Sequence, residues 1–189
     1  MRKIIMLNRI SIDGFFAGPK GESHEWFVID PKVEKASRKM VGEADTVLFG
    51  RITYQIFENH WPKVAADAKA PKEERAVGNE LNEMTKVVFS KTLKEVTWQN
   101  STLIKGDLVK EVRKLKQEDG PGMLIFGSGT IIQQLTAEKL IDEYIFVITP
   151  AIWGAGKQLF KDVKKLNLEL LEAKSFKSGN ILLHMKPAG

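Results

Sequence analysis

No cysteine occurs among the 189 residues. That excludes disulfides, iron–sulfur clusters, thiolate zinc sites and a cysteine nucleophile. Histidine is nearly as scarce. His24, His60 and His184 are the three, far apart and without an acidic partner at ligand spacing, so no metal site is expected. Long apolar runs are missing as well: nothing approaches the roughly 18 consecutive apolar residues of a membrane span. The opening Met1-Arg2-Lys3 precedes only four apolar residues before Asn8, too few for a signal-peptide core. A cytoplasmic address is the resulting expectation. Internal repeats and low-complexity tracts are also absent.

Charge of one sign is in modest excess. Lys and Arg number 29 against 24 Asp and Glu, a net charge of +5. The cations are interleaved with acids, as in Lys72-Glu73-Glu74-Arg75 and Lys110-Glu111-Val112-Arg113. That pattern is a mixed solvated surface and not a nucleic-acid stripe, and the small excess suits anionic small ligands. With 43% hydrophobic and 28% charged residues, the chain has the balance of a globular protein. Its length suits one domain spanning residues 1–189.

Ile4 to Leu7 form a continuous apolar run, and Ile10 and Ile12 then alternate, which predicts a buried first strand. A flexible loop is expected from Asp13-Gly14 through Gly18-Pro19-Lys20-Gly21. Asp30 as a cap and Pro31 in the first turn predict a helix over residues 31–42. Thr46 to Phe49 is a second buried strand ended by Gly50, and strand–helix–strand order implies a parallel crossover. Pro62 and Pro71 punctuate an Ala/Lys/Glu-rich stretch, read as a mobile connection followed by a surface helix near 71–83. Further strands are expected at 86–89, 101–105, 123–126 and 144–149, with a helix over 107–118 and a short one around Ile131, Ile132 and Leu135. Ser178-Gly179-Asn180 separates residues 168–176 from 181–186, a hairpin signal. The predicted architecture is α/β, a mostly parallel sheet with an antiparallel C-terminal hairpin.

In such sheets ligands bind beyond the carboxyl ends of the parallel strands. Four strands end in small or polar residues: Ser11-Ile12-Asp13-Gly14, Gly50-Arg51-Ile52-Thr53, Ser90-Lys91-Thr92 and Gly127-Ser128-Gly129-Thr130. Two of these corners precede helices, whose free N–H groups and glycines suit phosphate. Arg51 and Lys91 add positive charge. Two phosphate cradles with two cations point to a dinucleotide carrying an extra 2′-phosphate. Each corner alone also reads as an ordinary turn; their common placement carries the weight. Established signatures fail in detail. Ile132 stands where a third glycine of Gly-x-Gly-x-x-Gly belongs, and Ser128 is flanked by Phe126 and Thr130, so it is no nucleophile elbow.

These corners, with Ala44 to Tyr54, Val87 to Thr92, Phe126 to Gly129, Leu140 to Tyr144, Pro150, Gly154, Gly156 and Leu159-Phe160, resemble one family over about residues 2–185. It is the dihydrofolate-reductase-like fold, in the form of the bacterial riboflavin-biosynthesis reductase domain. The resemblance implies a three-layer fold, a homodimer and NADPH as hydride donor. It matches Gly50, Arg51 and Thr53 to the first phosphate segment, Ser90 and Lys91 to the 2′-phosphate contact, and Gly127, Ser128 and Gly129 to the second phosphate turn, which Thr130 closes. Asp13 and Gly14 match the loop beside the nicotinamide. Phe126 departs from the family, which usually has glutamate before the glycine pair, and no deaminase segment accompanies the domain.

A proton relayed by water near Asp13 or Asp30 is the catalytic expectation. Asp30 and Glu34 are the acids nearest the place of a pterin-binding carboxylate; an N-cap and a solvated helix residue are their plainer readings. Trp26 and Trp61, with His60 beside the latter, flank segments read as flexible; they either stack on a planar substrate ring or pack loops onto the core. The expected partner is a small heterocyclic substrate, a pyrimidine-amine or pterin, with no nucleic acid, membrane or metal. A non-catalytic nucleotide-binding module on the same fold is the competing reading.

Overall fold

The computed structural model describes residues 1–22 and 26–189. His24 lies outside the described residues. Among the described residues, ten strands and five helices follow one another as β1 (Ile4–Ile10), β2 (Phe15–Ala17), α1 (Pro31–Val41), β3 (Ala44–Gly50), α2 (Arg51–Ala66), α3 (Lys72–Glu83), β4 (Thr85–Phe89), β5 (Ser101–Ile104), α4 (Leu108–Gln117), β6 (Gly122–Phe126), α5 (Gly129–Ala137), β7 (Glu143–Ile148), β8 (Lys157–Gln158), β9 (Leu168–Ser175) and β10 (Ile181–Pro187). Eight strands form one sheet in the order β5-β4-β3-β6-β1-β7-β10-β9. The first six are parallel; β10 runs antiparallel to β7 and to β9.

The central strands are apolar on both faces because helices cover both. On one face Ile4, Met6, Leu48, Met123 and Ile125 pack with Val112 of α4 and with Ile131, Ile132 and Leu135 of α5. On the other, Val47, Phe49 and Val88 meet Tyr54 of α2 and Leu81 of α3. Beside that group, Ile5, Leu124 and Ile145 meet Val33 of α1. The result is three layers with two helical faces.

Helix starts follow local chemistry. Asp30 caps α1 by accepting from the Lys32 N–H at 2.8 Å, with Pro31 at the first helical position. Asp107 caps α4 through the Lys110 N–H at 2.8 Å. At the end of α3, the buried Lys86 ammonium donates to the carbonyls of Leu81, Asn82 and Met84 at 2.7–2.9 Å and lies 4.5 Å from the centre of the Trp98 ring. A cation on terminal carbonyls replaces the missing helical donors. Burial lowers the Lys86 pKa to about 8.

Two expectations fail here. The stretch from Pro62 onward is not a mobile connection before α3, because α2 runs through Pro62 to Ala66. The loop after Asp13 is partly ordered: Phe15–Ala17 pairs with Lys157–Gln158 in a small antiparallel ribbon.

Candidate active site

β3, β6, β1, β4 and β7 are parallel, so their carboxyl ends share one rim. β3 and β6 are neighbours, which sets Gly50 beside Gly127. The contact is specific. The Gly50 N–H donates to the Ser128 hydroxyl at 3.0 Å, and the Ser128 N–H donates to the Thr53 hydroxyl at 2.9 Å. Gly127 and Ser128 both have positive φ, +51° and +47°. For Ser128 that conformation carries a strain cost, and the two hydroxyl bonds hold it.

Asn8 on β1 completes the corner. Its side chain accepts from the Gly127 N–H at 3.0 Å and donates to the Gly127 carbonyl at 3.2 Å. The sequence reading did not single it out. Its only signal there is a polar residue that, with Arg9, follows the apolar run Ile4 to Leu7 of the central strand.

Ser128 spends its hydroxyl on Gly50, so it does not cap its own helix, and α5 has no side-chain cap. Neither has α2. The two helices that begin at this corner therefore offer unpaired N–H groups in their first turns, each with the positive end of the helix dipole. The glycines let Phe16 and Thr53 close on the corner. A Cβ on Gly129 would sit 2.6 Å from the Phe16 ring, and one on Gly127 would sit 3.0 Å from the Thr53 hydroxyl.

Beside this corner an open cleft of about 600 Å³ is lined by Arg51, Gln55, Thr92, Leu93, Lys94 and Glu95. Its wall is fixed from below: Glu58 and the Tyr54 hydroxyl of α2 accept from the N–H groups of Thr97 and Trp98 at 3.0–3.2 Å. Ser90 shapes the same segment by accepting from the Thr92 and Leu93 N–H groups. Lys91 is exposed and does not line the cleft; Lys94 does. On the other side of Gly129 and Thr130 a second cavity of about 390 Å³ lies against Phe15, Phe16, Lys157 and Lys161.

Asp13 is occupied. Its carboxylate accepts from the N–H groups of Trp153 and Gly154 at 3.1 and 2.8 Å. A hydrogen bond from Ser11 and these two N–H groups lower its pKa to about 2. It is therefore ionised at neutral pH, and its geometry is that of a clasp between two loops. Gly14 follows it with φ +85°, and its carbonyl accepts from Leu159. Asp30, the N-cap, also accepts from the Ser178 hydroxyl at 2.7 Å; that bond and the Lys32 N–H hold its pKa low. Neither acid presents a proton to donate.

Trp26 packs edge-on against Trp153 at 4.8 Å, beside Phe27 at 5.0 Å from the same ring. Through Trp153 it joins the Asp13 clasp. Trp61 lies elsewhere. It is well inside α2, packed in the cluster of Phe49 and Tyr54, roughly 15 Å along the helix from Arg51 at 1.5 Å per residue. Its neighbour Gly78 lets α3 approach its backbone carbonyl. The substrate-stacking reading of Trp61 is thus replaced by packing between α2 and α3, with His60 5.0 Å from its ring. No group of metal-ligating side chains occurs among the described residues.

Comparison with known proteins accounts for this arrangement. The family described as the RibD C-terminal domain matches residues 2–182, nearly the whole chain. The chain belongs to the RibD C-terminal domain family. Two Bacillus subtilis (strain 168) relatives are similar to it over most of both chains. The uncharacterized protein YyaP is 31% identical over 179 residues, 94% of this chain and 91% of its own length. The uncharacterized protein YwjB is 25% identical over 177 residues, 93% and 92% of the two chains. Among solved structures, a putative riboflavin biosynthesis protein from Shewanella sp. PV-4 superposes with a TM-score of 0.72 at 20% identity, covering 99% of each chain. A diaminohydroxyphosphoribosylaminopyrimidine deaminase/5-amino-6-(5-phosphoribosylamino)uracil reductase from Thermotoga maritima gives 0.67 at 17% identity; 99% of this chain covers 57% of that one. At such identities the structures speak for the fold, which is the dihydrofolate-reductase-like one expected from the sequence. No helix of this RibD C-terminal domain, among the described residues, is long and apolar enough to cross a membrane.

Proposed function

We propose that the chain is an NADPH-dependent reductase that delivers hydride to the carbon of a C=N or C=O group in a small heterocycle, of the pyrimidine-amine or pterin kind. One observation carries the proposal. Two uncapped helix N-termini, α2 and α5, meet at a glycine corner on one rim and are bolted together through Gly50, Ser128 and Thr53. Unpaired N–H groups around glycines are what a diphosphate needs. Membership of the RibD C-terminal family supports the same reading.

In this reading Gly50, Thr53, Gly127, Ser128, Gly129 and Thr130 hold the diphosphate. Arg51 and Lys94 meet the adenosine 2′-phosphate, with Ser90 shaping the loop and Lys91 at its rim. When bound, the reduced nicotinamide supplies the hydride, and the protein contributes orientation and exclusion of water. Asp13 and Gly14 fix the loop beside the reacting ring, and Trp26 with Trp153 offers an aromatic wall. The proton comes from ordered water, because Asp13 is ionised and Asp30 is tied to the α1 cap. A homodimer in solution belongs to the same proposal, and sedimentation equilibrium checks it.

Titration of NADPH fluorescence tests the first step. Saturation in the micromolar range is expected, weaker for Arg51→Ala; no binding at sub-millimolar coenzyme overturns the reading. A second reading, a binding module without turnover, is favoured by the engaged state of both acids. Oxidation of NADPH with any member of a pyrimidine-amine and pterin panel retires it.

A further inference from the structure

The cleft beside the glycine corner carries charge of both signs. Arg51 and Lys94 line it, and so does Glu95. Arg51 is steadied along α2 by donating to the Gln55 side-chain oxygen at 3.2 Å. Two acids belong to this wall, and they do different things. Glu58 is spent: its carboxylate accepts from the Tyr54 hydroxyl and from the Thr97 and Trp98 N–H groups at 2.8–3.1 Å. Those bonds clamp the chain just beyond Glu95 to α2. Glu95 itself is exposed and makes no ion pair among the described residues. Nor do Arg51 and Lys94 pair with any acid among them. A carboxylate that shares a cleft of about 600 Å³ with two cations and pairs with neither is not there to hold the fold.

We infer that Glu95 sets the coenzyme preference of this cleft. It lowers affinity for a ribose bearing a 2′-phosphate and supports one with a free 2′-hydroxyl, so that NADH serves alongside NADPH. The inference rests on the reductase reading and refines its coenzyme. A phosphate monoester brings about two negative charges at neutral pH. Arg51 and Lys94 offset them, and Glu95 returns one charge of the same sign as the ligand, which costs affinity. A hydroxyl brings no charge and donates a hydrogen bond. A carboxylate accepts that bond, whereas neither a guanidinium nor an ammonium can. Selectivity is the difference between two affinities, and one carboxylate at this place narrows it from both sides.

Fluorescence titration of the whole chain with NADPH and with NADH is the test, because both reduced coenzymes carry the same fluorophore. Wild type is expected to bind the two within roughly tenfold of each other. Glu95→Gln, an exposed change, should tighten NADPH by roughly threefold, the worth of one exposed charge contact. The same variant should weaken NADH by roughly threefold, since an amide oxygen is a poorer acceptor than a carboxylate. Opposite directions are the signature, because a negative charge acting only through the general field weakens both anions and its loss strengthens both. Glu73→Gln, an exposed acid of α3 outside the cleft, is the control and should leave the ratio at the wild-type value. The inference is overturned if wild type prefers NADPH beyond the tenfold range, or if Glu95→Gln moves the two coenzymes in one direction or not at all. It is also overturned if Glu73→Gln moves the ratio as far. Each of these outcomes leaves the reductase reading standing, since coenzyme still binds. Absence of binding by either coenzyme to wild type retires the reductase reading and this inference with it.

Discussion

At the scale of single residues, the rim is built from side chains that serve backbone. Ser128, Thr53 and Asn8 spend their polar atoms on N–H and C=O groups of the two glycine corners, and Asp13 spends its own on Trp153 and Gly154. Sequence alone cannot separate such an acid from a proton donor, because both are an aspartate beside a glycine at a strand end. The bonds made by the ionised form separate them. The Asp13 pKa falls from the ordinary 3.8 to about 2, so the folded state binds the proton less tightly than the unfolded chain. Its contribution to stability is complete above about pH 4 and is lost as the pH falls toward about 2. Thermal melts should show the gap between wild type and Asp13→Asn constant above about pH 5 and closed near pH 2. A gap that does not change with pH removes the clasp.

At the scale of elements, α5 carries the most exposed prediction. Gly129 is the first residue of α5, outside the helix interior where alanine gains about 1 kcal/mol over glycine, and the far end of the Phe16 ring is what a new methyl must displace, so Gly129→Ala should fold with a modestly lowered melting temperature. The new methyl meets the Phe16 ring at 2.6 Å and drives it off the helix start. NADPH affinity is expected to fall roughly tenfold, a change of about 1.4 kcal/mol, read by fluorescence titration. Unaltered affinity means the corner is not the diphosphate site. The elements themselves were legible to different degrees. Buried parallel strands such as Met123 to Phe126 announce themselves as short apolar runs, and Asp30-Pro31 marks the start of α1 within one residue. The passage of α2 through Pro62 was not legible. A proline normally interrupts the ladder, and here packing of Trp61 and Ala65 against Gly78 of α3 keeps the helix going. The β2–β8 ribbon was hidden for another reason. Its two halves are three and two residues long and lie far apart in the chain, so neither has a period to read.

For the whole molecule, the corner at Gly50 and Gly127 could be placed in advance because parallel strands share one rim by construction. The cations around it could not, since loop conformation decides that Lys94 and not Lys91 lines the cleft. Charge at this scale makes the last prediction. The chain carries a net +5, and Arg51 with Lys94 lies on one side of the glycine corner and Lys157 with Lys161 on the other. A field of that sign draws in a polyanionic coenzyme, and salt screens it with a Debye length of about 10 Å at 0.1 M. Association of NADPH should therefore slow steeply as salt rises from about 50 to 500 mM, while dissociation, governed by contacts at the corner, changes less. Arg51→Ala should flatten that dependence, because it removes the cation nearest the first turn of α2. Stopped-flow rates measure both. A salt-independent association rate would leave the corner without an electrostatic role, and the excess charge would then belong to the solvated surface alone.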